Sequence, residues 1–270
     1  MKNCLYNKIV IKVGTSTLVY GNGKPNYGSI EKLVRVISDL RNSGKDVVLV
    51  SSGAIGIGAG RLKVSRNKNL KIKQALAAIG QGILMQIYEK IFAEYCIIVA
   101  QVLVTRDDLL KGERQQNAFN TLTTLLDFGV VPIINENDTV ATEEIVFGDN
   151  DTLAAVVSKL IGADHLIILS DVDGFYTAPP EEPGAEKISV IEKITPDIEM
   201  LAGGSGSSFG TGGMQSKIIA AKIATEAGIA MTIIDGENPL HVYDVLQGKN
   251  PGTLFIPVKE KQEVEFNVNN

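Results

Sequence analysis

The sequence predicts an α/β protein, a three-layer sandwich in which a mostly parallel central sheet lies between two layers of helices. Short runs of apolar, often β-branched residues alternate with longer segments whose apolar residues recur every three or four positions. The short runs are apolar throughout, which is typical of strands covered on both faces. Glycines follow the helix candidates, where left-handed caps are expected. Alternating strands and helices with these features indicate a parallel sheet.

The predicted elements follow one another along most of the chain. The strands are Lys8–Val13, Asp46–Val50, Ile97–Val104, Val130–Ile134, His165–Leu169 and Met231–Ile234. The helices are Ser29–Asn42, Lys71–Ala93, Gln115–Phe128, Thr152–Ile161 and Gln215–Ala227, and the expected glycine caps are Gly44, Gly129, Gly162 and Gly228. We therefore expect a single domain over residues 1–258 and a polar tail over residues 259–270.

Three stretches interrupt this alternation. Asn135–Asp151 is acidic and polar, with a hairpin predicted at Thr142–Phe147. Pro179–Gly184 is rich in proline and glutamate and is expected to be solvated. Gly203–Gly213 is so rich in glycine and serine that it must form a loop.

Composition excludes several classes of protein. The formal net charge of -5 argues against a broad nucleic-acid surface, which would need a basic face. The only cysteines are Cys4 and Cys96, so neither a disulfide framework nor a zinc site is expected. The chain shows no leader segment and no apolar stretch of the ~20 residues that span a bilayer. These features predict a soluble cytoplasmic protein without a membrane or nucleic-acid partner.

Small, hydroxylated and acidic residues follow several of the predicted strands. Gly14-Thr15-Ser16 follows the first strand, Ser51–Ala54 the second, Asn135–Asp138 the fourth and Ser170-Asp171 the fifth. Because ligands bind at the carboxyl ends of strands in open α/β sheets, we expect a site there. The first two loops offer backbone N–H groups at helix starts, an arrangement that binds anions, although ordinary helix capping could explain each loop alone.

Two lysines lie beside glycine-rich loops. Lys12 sits in the first apolar strand, separated by one residue from Gly14-Thr15-Ser16, and Lys217 follows Gly212-Gly213-Met214 on the first turn of a helix. Each lysine alone is more often a solvated surface residue. Together they predict a clamp around a transferring phosphoryl group.

Other nucleotide-binding and hydrolytic signatures are missing. The sequence has no GxxxxGK[ST] motif and no GxGxxG, since Gly56–Gly60 has the wrong spacing. His165 and His241 share no motif and are expected to be structural or superficial, and Ser52 has no His/Asp relay. In the acidic segment Asp149 or Asn150 could cap a helix, and the amides and carboxylates around them could hold a zwitterionic amino acid.

Five segments resemble the glutamate 5-kinase branch of the amino-acid kinase family in order and spacing. They are Val10–Ser16, Val50–Gly56, Ile134–Asp138, Phe147–Asp151 and Gly210–Lys217, and the similarity extends from about Lys8 to Gly252–Phe255. The resemblance implies that ATP, as MgATP, phosphorylates the side-chain carboxylate of L-glutamate to give L-glutamyl 5-phosphate, the first step of proline biosynthesis. It also implies a homo-oligomer and a glutamyl phosphate reductase as the partner enzyme.

The resemblance assigns roles to matching positions. Lys12 and Lys217 would contact the ATP phosphates, and Asp151 would organise the two lysines. Ser52, Asp138 and Asn150 would bind glutamate within about residues 1–160. The nucleotide site, in about residues 161–258, would be lined by Ser170, Asp171, Thr211, Gly212, Gly213, Met214, Gln215, Ser216 and Lys217, together with Lys12. The chain departs from many relatives by stopping before a PUA domain and by reading Pro179-Pro180 where they read Asp-Pro.

Three alternatives stay open from the sequence. A sister kinase acting on N-acetylglutamate, aspartate, carbamate or UMP would share the lysines and glycine loops. A non-catalytic nucleotide- or amino-acid-binding protein would bind ligand without releasing ADP, and a hydride-transfer enzyme is disfavoured by the missing fingerprint. A carboxylate acceptor is ionised at pH 7 and needs no general base, which suits a chain with two histidines. Because water hydrolyses an acyl phosphate, Gly203–Gly213 is predicted to be a lid.

Overall fold

The computed structural model describes residues 6–64, 69–140, 149–203 and 213–258. The strands are β1 (Lys8–Val13), β2 (Asp46–Ser51), β3 (Val99–Val104), β4 (Val131–Glu136), β5 (His165–Ser170), β6 (Phe175–Tyr176), β7 (Lys187–Ile188), β8 (Val190–Ile191), β9 (Ala230–Asp235) and β10 (Thr253–Phe255). The helices are α1 (Thr15–Leu18), α2 (Tyr27–Asn42), α3 (Ala54–Leu62), α4 (Leu70–Ala93), α5 (Arg106–Leu110), α6 (Glu113–Asp127), α7 (Asn150–Ile161), α8 (Pro196–Ala202), α9 (Met214–Glu226) and α10 (His241–Leu246).

A mostly parallel sheet forms the middle layer. Within the described ranges it has eight strands in the order β3-β4-β2-β1-β5-β9-β10-β8. Within this sheet only the β9–β10 pair is antiparallel. Strands β6 and β7 form a separate, two-stranded antiparallel sheet. The six predicted strands are β3, β4, β2, β1, β5 and β9, which are neighbours in this order and all parallel to one another. The predicted fold class is therefore confirmed. Lying near the middle of the sheet, β1 is flanked by β2 and β5, and its carboxyl end is surrounded by other strand ends.

Helices cover both faces of the sheet and bury a separate apolar core on each. Ile9, Ile11 and Val13 of β1 pack with residues of α2, α4 and α10 on one face. Val10 belongs to the core on the other face, which includes residues of α7 and α9. Successive side chains of a strand point to opposite faces, so Lys12 lies on the same face as Val10. The alternation therefore directs Lys12 toward α7 and α9.

The predicted ends of the elements differ from the observed ends by a residue or two. Helix α7 begins at Asn150 rather than Thr152, because the Asp149 side chain caps it. Gly44, Gly129 and Gly228, three of the expected caps, have φ values of 84°, 80° and 76°, in the left-handed region that favours glycine. The fourth cap has the same conformation. The predicted caps are thus confirmed, and so is the exposure of residues 179–184.

Helix α3 is absent from the predicted helices, because its glycines have low helix propensity. Tertiary packing provides the missing stabilisation. A Cβ on Gly58 would lie 2.1 Å from the Leu76 carbonyl oxygen, and one on Gly80 would lie 1.7 Å from that of Ala54. Glycine therefore lets α3 and α4 approach until their backbones touch. This close contact fixes α4 beneath the loop that follows β2.

Some predictions fall on residues outside the described ranges. These are the hairpin at Thr142–Phe147, residues 204–212 of the predicted lid, the polar tail and Cys4. Cys96 lies within them and is exposed. No helix in the described part of the chain combines the length and apolar character needed to cross a membrane.

Candidate active site

Two lysines and one carboxylate converge at the carboxyl end of β1. Strand β1 contributes Lys12, the first turn of α7 contributes Asp151, and the first turn of α9 contributes Lys217. The Nζ of Lys12 pairs with Asp151 Oδ1, and the Nζ of Lys217 lies 3.1 Å from Asp151 Oδ2. Lys12 is 7% exposed, Lys217 3% and Asp151 0%. One buried carboxylate therefore holds two ammonium groups side by side. Neither lysine is a solvated surface residue, which is what a lysine in either position alone would more often be.

The cap of α7 positions the carboxylate. Asp149 Oδ1 accepts hydrogen bonds from the backbone N–H groups of Asp151 and Thr152, at 2.9 and 3.1 Å. This interaction satisfies donors that the first helical turn leaves unpaired, and it starts the helix at the residue that brings Asp151 over β1. Ser216 of α9 also reaches the site, since its Oγ lies 3.4 Å from Asp151 Oδ2.

The charges of the cluster are asymmetric. Burial raises the pKa of Asp151, but the adjacent ammonium groups of Lys12 and Lys217 outweigh it and hold the pKa below its ordinary value. For Asp149 the direction is opposite, because burial and then the charge of Asp151 raise its pKa. Two ammonium groups thus flank one ionised carboxylate, and all three residues are buried. Such a site can attract and hold a multiply charged anion.

Amide and hydroxyl groups form a second cluster beside the lysines. Ser52 follows β2, and Asn150 precedes Asp151 in α7. The Nδ2 of Asn150 donates to Ser52 Oγ at 2.8 Å, to Asn135 Oδ1 at 2.9 Å and to the Ser51 carbonyl oxygen at 3.3 Å. The first turn of α7 therefore joins the amide cluster to the cationic cluster. An acceptor held by the amides would lie next to a phosphoryl group held by the lysines.

The third residue predicted to bind glutamate is Asp138. Asp138 lies in the turn after β4, where burial raises its pKa more than the charge of Lys73 lowers it. Within the described ranges no hydrogen bond joins Asp138 to Ser52 or Asn150, and its role in binding glutamate stays a prediction. Thr211 and Gly212 lie outside the described residues.

The predicted nucleotide residues that are described lie at two element ends. Ser170 ends β5 and donates through Oγ to Asp171 Oδ1 at 3.0 Å. Gly213 precedes α9, and Met214, Gln215 and Ser216 form its first turn, with Ser216 Oγ donating to the Gly213 carbonyl oxygen at 2.7 Å. No group of three or more His, Cys, Asp or Glu side chains that could hold a metal occurs in the described part of the chain.

Sequence reasoning missed two residues of α4 that support the amide cluster. Gln81 is buried, and its Oε1 accepts from Asn135 Nδ2 at 3.0 Å. The buried hydroxyl of Tyr88 lies 2.9 Å from Ser51 Oγ, and burial raises the pKa of Tyr88 despite this hydrogen bond. Residues 81 and 88 lie on one face of the helix, where the other buried residues are mostly apolar. A polar side chain on an apolar helix face was the available signal.

His165 lies away from these clusters, in agreement with the prediction that it is a structural residue. It begins β5, at the opposite end from Ser170, and is fully buried. Its Nε2 lies 2.8 Å from Thr232 Oγ1, and the ring of Tyr6 packs against it edge-on. Burial lowers the pKa of His165 to about 3, so the imidazole is neutral at pH 7. It therefore serves the sheet and not the site.

Comparisons with known proteins agree with this architecture. Residues 7–235 match the model of the amino acid kinase family. The glutamate 5-kinase of Clostridium perfringens is 52% identical over 258 residues, which cover 93% of this chain and 96% of that protein. The glutamate 5-kinase of Listeria innocua is 51% identical over 269 residues, covering 97% and 98%. Among solved structures, carbamate kinase from Giardia lamblia bound to AMP-PNP is similar with a TM-score of 0.68 at 18% identity, covering 94% of this chain and 100% of that one.

Proposed function

The chain belongs to the amino acid kinase family and, within it, to the glutamate 5-kinases, and on this premise we propose that it phosphorylates the side-chain carboxylate of L-glutamate with ATP. The products would be ADP and L-glutamyl 5-phosphate, and the reaction would be the first step of proline biosynthesis. The observation that carries phosphoryl transfer is the buried pair of lysines on Asp151. Identity of about half the residues over nearly the whole chain supports glutamate as the acceptor.

The lysines answer the main difficulty of this reaction, which is charge repulsion. A glutamate carboxylate, with an ordinary pKa near 4.3, is already a nucleophile at pH 7, so no general base is required. It must approach a triphosphate of like charge. One carboxylate oxygen forms a bond to the γ-phosphorus, and the bond from that phosphorus to the bridging oxygen breaks, leaving the electron pair on ADP.

Each ammonium group has three N–H donors, so Lys12 and Lys217 can bind phosphoryl oxygens while Asp151 still holds them. Asp151 fixes the position of both cations before substrate arrives, and fixed cations need little reorganisation during the reaction. The role of Asp151 is therefore to position the two lysines, and the role of the lysines is to offset negative charge on the transferring group.

The two substrates would enter from different parts of the chain. We propose that Ser52, Asn150 and Asp138 bind glutamate within residues 1–160, and that the nucleotide lies along residues 161–258. The placement of Ser170 and Asp171 at the end of β5 and of residues 213–217 at the start of α9 supports the second assignment. Mg²⁺ would enter with the nucleotide as MgATP, because this ion is usually bound through substrate phosphates and retained water.

The chemistry of the product suggests the surroundings in which the enzyme acts. An acyl phosphate is readily hydrolysed, so an enzyme that consumes it promptly is advantageous. We propose that this enzyme is a glutamyl phosphate reductase, that both act in the cytoplasm and that the kinase is a homo-oligomer. Light scattering on the purified chain tests the last point, and a mass equal to one chain would refute it.

Hydroxylamine trapping tests the activity directly. Purified protein with MgATP, L-glutamate and hydroxylamine should yield a hydroxamate and ADP in equal amounts. Parallel reactions contain N-acetylglutamate, L-aspartate, carbamate or UMP, and Asp151→Asn protein is the inactive control. Folded wild-type protein that gives no hydroxamate above the no-enzyme blank refutes the proposal. Faster ADP release with another acceptor would reassign the substrate, and ligand binding without ADP release would indicate a non-catalytic protein.

A further inference from the structure

The orientation of the Asn135 carboxamide is set by the backbone. The backbone N–H of Glu136 donates to Asn135 Oδ1 at 2.9 Å. Because a backbone N–H can only donate, the atom of Asn135 that it meets must be the oxygen. The other end of this carboxamide is then the NH₂ group, which meets Gln81 Oε1 at 3.0 Å. Gln81 is 7% exposed and therefore holds the Asn135 amide from inside the protein.

The same reasoning fixes the polarity of Asn150. Asn135 Oδ1 and the Ser51 carbonyl oxygen are both acceptors, and both lie within hydrogen-bond distance of one end of the Asn150 carboxamide. That end must therefore be the NH₂ group. Ser52 Oγ, at 2.8 Å, is a third acceptor for the two hydrogens of this group. The donors of Asn150 are thus occupied by the protein, and its Oδ1 lies on the other side of the carboxamide.

Asn150 and Ser52 can therefore offer a ligand one hydrogen-bond acceptor and one donor. Asn150 Oδ1 accepts hydrogen bonds and cannot donate them. Ser52 Oγ accepts from Asn150 and keeps its own O–H proton for another partner. A carboxylate cannot donate to Asn150 Oδ1, whereas an ammonium group can. A zwitterionic α-amino acid presents one group that suits each of them.

Resting on the proposed function, we propose that Gln81 is a positioning residue that acts through Asn135 to keep Asn150 Oδ1 turned toward the acceptor, so that the site selects acceptors with a free ammonium group. Gln81 reaches the amide cluster through its hydrogen bond with Asn135. Without the Gln81 oxygen, the Asn135 carboxamide would lose the partner of its NH₂ group. That buried NH₂ group would then lack an acceptor, so the carboxamide would shift from its place and its Oδ1 would hold Asn150 Nδ2 less firmly.

Gln81→Met tests the positioning role, because methionine has a similar volume and no hydrogen-bonding oxygen. The matched control is Gln86→Met, the same change at an exposed position of α4. We expect Gln81→Met to raise the KM for glutamate roughly 3- to 10-fold, the effect of one net hydrogen bond, with the KM for ATP unchanged. Gln81→Glu keeps an accepting oxygen and should restore a glutamate KM close to wild type. A glutamate KM in Gln81→Met within twofold of wild type, or an equal rise in both KM values, would overturn the proposal.

A comparison of substrates tests the polarity and does not depend on the folding of a Gln81 variant. Glutarate has both carboxylates of glutamate but no ammonium group. The ratio of kcat/KM for glutamate to that for glutarate should fall at least roughly tenfold in Asn150→Ala, as expected for loss of a hydrogen bond to a charged group. Equal losses with both substrates would mean that Asn150 meets a carboxylate, which contradicts the proposal. Wild-type protein inactive with glutamate would refute the proposed function instead, so the two failures are distinguishable.

Discussion

Replacing Lys217 with alanine should lower kcat by roughly 100-fold and change either KM by less than about threefold. The reason is the direction in which charge moves. In the bound substrates, Mg²⁺ and backbone N–H groups already neutralise much of the triphosphate. As the γ-phosphoryl group leaves, negative charge shifts toward the bridging oxygen of ADP, and the ammonium of Lys217 can stabilise it. An interaction that strengthens in the transition state appears in kcat.

The magnitude follows from the geometry of the cluster. Lys217 Nζ lies 3.1 Å from Asp151 Oδ2, and a phosphoryl oxygen would bind at a similar distance. At such a separation two unit charges attract by about 5 kcal/mol at an effective dielectric constant of about 20. If about half a unit charge shifts, the transition state loses roughly 3 kcal/mol in the variant, or roughly 100-fold in rate. Removal of one preorganised donor from other enzymes costs about as much.

Steady-state kinetics with coupled detection of ADP measure this effect. Lys222→Ala is the matched control, because Lys222 lies on the same helix with a side chain 38% exposed and pairs with Glu199 at the surface. Its kcat should stay within about twofold, since surface pairs contribute little. Lys217→Arg should rescue poorly, because a planar guanidinium does not replace a compact ammonium in a buried site.

Stability must be measured together with rate. Urea unfolding should show that Lys217→Ala loses on the order of 1–3 kcal/mol, because Asp151 keeps its pair with Lys12 and the fold survives. A kcat within threefold of wild type in folded protein would refute the transition-state role. An unchanged kcat with a large rise in the KM for ATP would instead show that Lys217 contributes only to ground-state binding.

Three further predictions concern substrate binding, the buried charges and pH. Asp138→Ala and Asn150→Ala should each weaken glutamate binding by about 1.5–3 kcal/mol, roughly 10- to 100-fold in KM, with less effect on ATP; an equal rise in the KM for ATP would contradict their placement. Asp151→Asn should lower the free energy of unfolding by about 3–5 kcal/mol at pH 7, because two buried ammonium groups lose their counter-ion; a loss below about 1 kcal/mol in urea unfolding would show that water relieves them. In the wild type the pKa of Asp151 is lowered by folding, so its contribution is present above the ordinary pKa and is lost as pH falls through the folded value. Folding also lowers the pKa of His165 to about 3. Between that value and about 6.5 the unfolded chain binds a proton at His165 and the folded chain does not. The free energy of unfolding should therefore fall by up to about 1.4 kcal/mol per pH unit below about pH 6.5. Urea unfolding of His165→Asn between pH 7.5 and pH 5.5 should show a smaller loss than the wild type, and equal losses would exclude His165 as the cause.

Much of the fold could be predicted because its signals are local. Each of the six predicted strands is mostly apolar, with exceptions such as Lys12 in β1 and Gln101 in β3, and each long helix shows a repeating apolar face followed by a glycine or polar cap. Helix α3 could not be predicted, because Gly56, Gly58 and Gly60 disfavour a helix in isolation. Its stability depends on the contact with α4, which only glycine permits. The start of α7 differed by two residues although its cap is local, because the sequence offered both Asp149 and Asn150 as caps and only the structure shows that Asp149 accepts from Asp151 and Thr152.

The candidate site could be predicted as a set of residues but not as an arrangement. Ser52, Asn150, Asp151 and Lys217 were found because each follows a strand or lies in the first turn of a helix, and Lys12 because it precedes a glycine loop within an apolar strand. The five segments that contain these residues also resemble one family. No local signal shows that Asp151 lies between both lysines. Gln81 was missed although it lies on the apolar face of α4, because a glutamine in a helix is more often a surface residue and its partner Asn135 lies 54 residues away in the sequence.

The sequence by itself therefore determined the class of the fold, the edge of the sheet at which chemistry occurs and the family to which the chain belongs. The fold class and the edge of the sheet follow from periodicity and from residues close together in the chain, and the family follows from the resemblance of five short segments. The tertiary structure alone decided which residues meet. The order of the strands differs from their order along the chain, and this order places α7 and α9 over the face on which Lys12 lies. Hydrogen bonds and ion pairs act over about 3 Å, so partners distant in sequence become partners only through packing.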